Sequence, residues 1–214
     1  MRNWSRALSF WDERIDFSRV QDALEIGARS GGLSLWLALH GVPHIICSDC
    51  EDNTAKARPL HQQHGCETIE YQVIDANEIS CKAQFDLICF KSVLGVVGSH
   101  NQKQAQQQTL ARLYDALRPG GVLVFAENLK ASRVHQHLRR RYVKWGANWR
   151  YVTLKELYEF TRPFAQVEIR SYGCFAALGR TETQRRWLGV ADRLLCPLLP
   201  KRWHYIAFSI CKKI

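Results

Sequence analysis

Ala23-Leu24-Glu25-Ile26-Gly27-Ala28-Arg29-Ser30-Gly31-Gly32-Leu33-Ser34-Leu35 reads as a short buried strand, a glycine turn and the first turn of a helix. Val20, Ala23, Leu24 and Ile26 supply the apolar run, and Leu33, Trp36, Leu37 and His40 recur at helical spacing beyond Gly32. Gly27 and Gly31 permit a tight turn and let a ligand approach bare backbone. Such a unit points free N–H groups from a helix N-terminus toward the carboxyl edge of a parallel sheet, where α/β proteins bind ligands. The spacing is G-x-x-x-G-G and not G-x-G-x-x-G, which excludes the dinucleotide fingerprint.

Working outward, His44-Ile45-Ile46-Cys47-Ser48-Asp49 reads as a second strand ending in an acid. Asp49 lies 22 residues after Gly27, where such folds place a carboxylate on a ribose hydroxyl pair. The alternative is that it caps the next helix. Ile69 to Ile74 alternate as a third strand, followed by Asp75-Ala76. Phe85 to Phe90 form a fourth, running into Lys91-Ser92-Val93-Leu94-Gly95. A Gln-rich helix from Lys103 to Leu117 ends at Arg118-Pro119-Gly120-Gly121, and Val122 to Ala126 make a fifth strand before Glu127-Asn128.

Four pieces of this order carry a resemblance. Glu25-x-Gly27-x-x-x-Gly31, Asp75-Ala76, Phe85-Asp86 and Leu117-x-Pro119-Gly120-Gly121 resemble, in sequence and spacing, the motifs of class I S-adenosylmethionine-dependent methyltransferases. Arg29 stands where that family usually has a middle glycine. The resemblance implies an α/β fold: a Rossmann-like seven-stranded sheet, mostly parallel with an antiparallel C-terminal strand, and helices on both faces. It also implies S-adenosyl-L-methionine as cofactor. Glu25, Gly27, Ala28 and Gly31 would form the loop under its amino-acid part. Asp49 and Cys50 would meet the ribose, and Asp75 and Ala76 the adenine. Lys91 would meet the cofactor carboxylate or an anionic acceptor, or snorkel to solvent.

The expected acceptor side lies beyond strands four and five. Glu127, His135 and His100 are the candidate catalytic bases, because a hydroxyl acceptor needs one. Ser92, Asn128, Arg139, Arg140, Trp149 and Arg150 are the candidate acceptor-binding residues. They belong with an aromatic-basic run, 133–151, whose arginine forks suit phosphates and whose flat rings suit sugars. Lys91 to Gly95, Ala126 to Asn128 and this run resemble methyltransferases of bacterial surface-polysaccharide synthesis. Thr153-Leu154-Lys155-Glu156 is a capping box. Gln166 to Tyr172 and Tyr205 to Cys211 alternate as a closing antiparallel pair.

Composition bounds the rest. The 214 residues suit one domain: a leading amphipathic helix in 1–19, a cofactor-binding core in 20–130 and an acceptor-side part in 131–214 that completes the sheet. Residues 1–129 carry net charge −3 and residues 130–214 carry +13, so an anionic partner is expected at the C-terminal part. That partner is an anionic small molecule or glycan. A membrane surface is a further partner, and nucleic acid is less favoured because Phe90-Lys91-Ser92-Val93 is not a base-methylation motif. No apolar run approaches the ~20 residues of a membrane span, and eight scattered cysteines suit a reducing compartment. A cytoplasmic protein, at most touching the inner membrane face, is the expectation. Cys47-x-x-Cys50 with His61-x-x-His64 has the look of a zinc site, but its pairs fall at opposite ends of a helix; no metal is expected, and the histidines read as surface residues. Trp187, Leu188, Ala191, Leu194, Leu195, Leu198 and Leu199 make a helical stripe that either packs on the core or lies on anionic lipid. RNA methylation and a non-catalytic protein of the same fold are the competing functions.

Overall fold

A computed structural model describes residues 2–143, 148–179 and 181–214. Lys144 and Trp145 of the aromatic-basic run lie outside them. Seven strands form one sheet in the order β3-β2-β1-β4-β5-β7-β6. β1 (Asp22–Ile26), β2 (His44–Asp49), β3 (Ile69–Val73), β4 (Phe85–Lys91) and β5 (Leu117–Asn128) are parallel. β7 (Ile206–Lys212) runs antiparallel between β5 and β6 (Gln166–Tyr172). This is the sheet the motifs imply.

The central strands are apolar on both faces, as strands covered by helices must be. Leu24, Ile26, Ile88, Phe90 and Phe125 pack toward one helical layer with α5 (Lys103–Ala116) and α7 (Leu154–Phe160). Ala23, Leu87, Cys89 and Val124 face the other, with α1 (Arg2–Asp12), α2 (Gly32–Leu39) and α3 (Thr54–Gln63). Each buried Leu, Ile or Phe contributes roughly 1.5–3 kcal/mol. The leading helix packs on the core: Phe10 meets Phe208 with the rings tilted by 59°, and Trp11 donates through Nε1 to the Ser209 carbonyl at 2.9 Å.

At the amino ends of the strands, Asp86 ties three elements together. Its carboxylate accepts from the N–H groups of Gln21 and Asp22, and Arg118 bridges it to Asp22 at 2.9 and 2.7 Å. The Pro119-Gly120-Gly121 segment is absorbed into the start of β5 as an irregularity between the Phe85–Leu117 and Leu87–Val122 pairs, Gly120 taking φ +77°. All eight cysteines are free thiols. With the amino ends closed in this way, the opposite edge carries the open loops.

Candidate functional site

The loop after β1 is held in one shape from three sides. Gly27, Arg29 and Gly31 all lie in the left-handed region, at φ +67°, +51° and +70°. Gly27 must be glycine, because a Cβ there would stand 2.6 Å from Cγ2 of Val93. A Cβ at Gly31 would strike the His61 ring. Arg29 thus adopts the conformation of the glycine it replaces, at a steric cost on the order of 1 kcal/mol. Its N–H donates to Asp49 Oδ2 at 2.7 Å, and its carbonyl accepts from Asn53.

Beneath the loop sits Glu25, fully buried. Its carboxylate accepts from the N–H of Leu33 and Ser34 and from the Ser34 hydroxyl at 2.5 Å, so it caps α2 from inside. Burial pushes its pKa up to about 7, against the pull of the Ser34 hydrogen bonds. The expected direct contact of Glu25 with the cofactor is corrected on this ground: it shapes the loop and does not face the mouth. His61, expected at the surface, is buried between Gly31 and Tyr71; Nε2 faces the Gly31 carbonyl at 2.8 Å and Nδ1 the Tyr71 hydroxyl at 2.7 Å. Among the described residues no group of three His, Cys, Asp or Glu could hold a metal ion.

Asp49 ends β2, half-exposed. Oδ2 accepts the Arg29 N–H, and Oδ1 accepts the Cys50 N–H and the weak donor of the Cys50 thiol at 3.4 Å, short of the roughly four acceptor sites of a carboxylate. Asp75, exposed past β3, engages one oxygen with Asn77. The Ile74 N–H donates to the Asp49 carbonyl, setting the two acid-bearing strand ends side by side. Lys91 ends β4 with Nζ 4.8 Å from the Trp4 ring, its pKa lowered by desolvation and then by the charge of Arg29.

Across the mouth, Ser92 and Ala131 follow β4 and β5 with φ of +60° and +56°. Non-glycine residues held so are a mark of functional segments. Asn128 donates to the Ser92 hydroxyl at 2.9 Å, linking the ends of β4 and β5. Beside them opens a cleft of about 510 Å³, lined by His100, Asn101, Lys130, Gln136, Arg139, Arg140 and Trp149 to Tyr151.

Several acceptor-side expectations are overturned. Glu127 is fully buried, not at the mouth. It caps α4 (Leu94–Val97), accepting from the Leu94 and Asn128 N–H groups at 2.8 Å. Burial raises its pKa to about 7. His135, in α6 (Arg133–Tyr142), has both ring nitrogens committed, to the Ser132 hydroxyl at 2.7 Å and the Cys174 carbonyl at 2.6 Å. Burial also lowers its pKa, and it is not an accessible base. Arg150 is a crosslink: it bonds Gln106 and Glu156 by side chain and the Gly95 carbonyl by backbone. Arg139 stacks on Tyr151 at 4.1 Å and donates to the Leu129 carbonyl. Arg140 and His100 are exposed on the cleft. Lys130, outside the 133–151 run, lines it as well, together with Tyr151 at the end of that run. The charge run was visible; which of its members turn outward depends on α6 and was not.

Residues 23–121 match the family described as a methyltransferase domain. The matched segment runs from β1 into the start of β5 and holds the loop after β1 and the acids at the ends of β2 and β3. No curated protein matches the chain by sequence. Among solved structures it is similar to the N-methyltransferase NodS of Bradyrhizobium japonicum with S-adenosylhomocysteine (TM-score 0.65, 17% identity, 98% of this chain and 86% of that one). It is also similar to phosphoethanolamine N-methyltransferase 2 of Haemonchus contortus with phosphomonomethylethanolamine and S-adenosylhomocysteine (0.67, 15%, 98% and 52%). A third is the 1,6-didemethyltoxoflavin N1-methyltransferase of Burkholderia thailandensis with 1,6-didemethyltoxoflavin and S-adenosylhomocysteine (0.62, 18%, 97% and 76%). The methyltransferase reading of the motifs and the fold drawn from it are thereby borne out.

Proposed function

We propose that the chain transfers a methyl group from S-adenosylmethionine to an anionic small-molecule or glycan acceptor. The observation that carries the cofactor half is the loop Gly27–Gly31, with three left-handed residues, the middle one, Arg29, bonded to Asp49 at the carboxyl ends of the strands. The donor set fits the group: bare backbone for the amino-acid part, Asp49 lone pairs for the ribose hydroxyls, Asp75 for the adenine amino group. Bound there, the cofactor supplies a methyl on a sulfonium, ready for in-line displacement. The protein's contribution is alignment, worth several powers of ten in rate.

The acceptor half rests on the cleft between α6 and the segment 148–151. Arg140, Lys130 and Arg139 give it positive charge, while Trp149 and Tyr151 give it flat surfaces. That combination suits a phosphorylated sugar, a nucleotide-sugar or a lipid-linked glycan. O-methylation requires a base, and with Glu127 and His135 enclosed, we assign that role to His100 on the cleft wall. An amine acceptor is the second reading, favoured by the same enclosure, since a deprotonated amine attacks unaided.

Calorimetry with S-adenosylhomocysteine tests the first half. Asp49→Ala removes charge-assisted hydrogen bonds and should weaken binding by ~1.5–3 kcal/mol. Equal affinity in wild type and variant would remove the ribose assignment. Transfer of labelled methyl into glycan fractions but not RNA fractions, with turnover lost in His100→Ala, is expected for the second half; label confined to RNA would overturn it.

A further inference from the structure

The connection between β6 and β7 leaves and re-enters the sheet at the mouth. Tyr172, the last residue of β6, pairs with Ile206, the first of β7, and Ile206 pairs with Asn128 at the end of β5. Between them lies α8 (Glu182–Leu195), followed by short turns over Cys196–Leu198 and Lys201–Trp203. Its inner side is fixed. Asp192, fully buried, accepts from the N–H groups of Cys174, Phe175 and Ala176 at 2.7–3.0 Å.

The outer side is apolar and open. Trp187, Leu194 and Leu198 are 71, 70 and 81% exposed, with Val190 and Leu195 each at 44%. Positions 187, 190 and 194 recur at helical spacing on α8 and form one stripe, and exposed Leu198 follows in the next turn. Of the stripe expected from the sequence, Trp187, Leu194, Leu195 and Leu198 do not pack on the core, while Leu188, Ala191 and Leu199 are half-buried. Exposed Arg186, Arg193, Lys201 and Arg202 flank it. Residues 180–203 hold six basic and two acidic side chains, and one of the acids, Asp192, is the buried cap.

A face of this make needs a partner that is apolar within and anionic at its surface. RNA offers phosphates but nothing for Leu194 and Leu198. A second copy of the chain would set two positive rims against each other. An anionic bilayer satisfies both demands: tryptophan and leucine enter the headgroup–acyl boundary while the flanking cations meet lipid phosphates. We propose that α8 and the turns after it dock the protein on an anionic lipid surface. This stands apart from the cofactor and acceptor readings, and the mouth-side position of α8 would bring the cleft to that surface.

Sedimentation of the full chain with phosphatidylcholine vesicles, with and without phosphatidylglycerol, tests it. Binding should require phosphatidylglycerol and weaken with salt. The variant Trp187→Ser/Leu194→Ser/Leu198→Ser should lose on the order of tenfold or more in partitioning. Arg186→Gln/Arg193→Gln should lose anionic preference. Both should keep wild-type circular dichroism and S-adenosylhomocysteine affinity, because the altered side chains are exposed and outside the cofactor site. The proposal is overturned by absence of vesicle binding at low salt or by unaltered binding of the apolar variant. It is equally overturned if the wild type is a dimer that the apolar variant dissolves, or if polyanionic RNA is bound and vesicles are not.

Discussion

Arg29 shows how much a single dihedral decides. Its side chain makes the sequence depart from the glycine-rich loop of the family, yet its backbone sits at φ +51° between two left-handed glycines, and its N–H and carbonyl do the loop's bonding. Arg29→Gly should therefore fold as the wild type. Relief of left-handed strain, ~1 kcal/mol, is offset by roughly 0.4–1 kcal/mol of added unfolded-state freedom, so thermal denaturation should move by no more than a few degrees. A large fall in Tm would mean that the guanidinium holds the loop. Residues of this kind were legible in the sequence because the local geometry admits few types: Gly27 and Gly31 in the turn, Asp49 at a strand end, the Thr153–Glu156 capping box found with both its bonds. Glu127, His135 and Arg150 were misjudged for the opposite reason. Their partners lie 33, 39 and 44 positions away, at Leu94, Cys174 and Gln106. A polar side chain reads as a catalytic candidate until the fold brings a distant backbone group against it.

At the scale of elements, the segment from Asn148 to Val152 shows the same division. It is stitched to its neighbours by backbone bonds from His100 to Asn148, Arg150 to Gly95 and Lys130 to Val152. Gln106, fully buried in α5, adds bonds to the Leu94 and Arg150 carbonyls. The Arg150–Glu156 pair is more than four-fifths buried on both sides. Burial alone would raise the Glu156 pKa, but the Arg150 and Thr153 hydrogen bonds outweigh it and hold the carboxyl below its ordinary value. Two arginines ten positions apart then predict opposite outcomes. Arg150→Ala strands Glu156 and should cost about 2–4 kcal/mol of stability, read as a fall in Tm. Arg140→Ala, on the exposed wall of the cleft, should leave Tm nearly unchanged, raise the acceptor KM and flatten its salt dependence. An Arg140 variant with unchanged kinetics across salt would make the cleft a solvated face, and an uncharged acceptor would become the better reading.

For the whole molecule, two buried carboxyls set the response to pH. Glu25 caps α2 and Glu127 caps α4, so two of the helices that begin at the mouth are held by an acid whose pKa burial has raised to about 7. The unfolded chain ionises these groups near the ordinary glutamate value. Their contribution is therefore fully present below about pH 4.5 and is lost as pH rises to 7, roughly 3 kcal/mol for each at most. Asp86 acts in the other direction. Desolvation raises it, but the hydrogen bonds from Asp22, Arg118 and Gln21 prevail and depress its pKa, so its contribution is present above the ordinary aspartate value and lost in acid. Stability should accordingly peak in mildly acidic solution and decline toward pH 8. Glu127→Gln sets an amide N–H₂ against the backbone N–H groups of Leu94 or Asn128 and lowers Tm at every pH. It should nevertheless flatten the decline between pH 5 and 8, because the titrating group is gone. Glu25→Gln should remove the other part of the slope, and the double variant nearly all of it. Tm profiles of the four proteins from pH 4.5 to 8.5 measure this directly. A wild-type profile already level above pH 5 would show that both carboxylates remain ionised under their helix caps, sustained by the amide hydrogen bonds against the cost of burial.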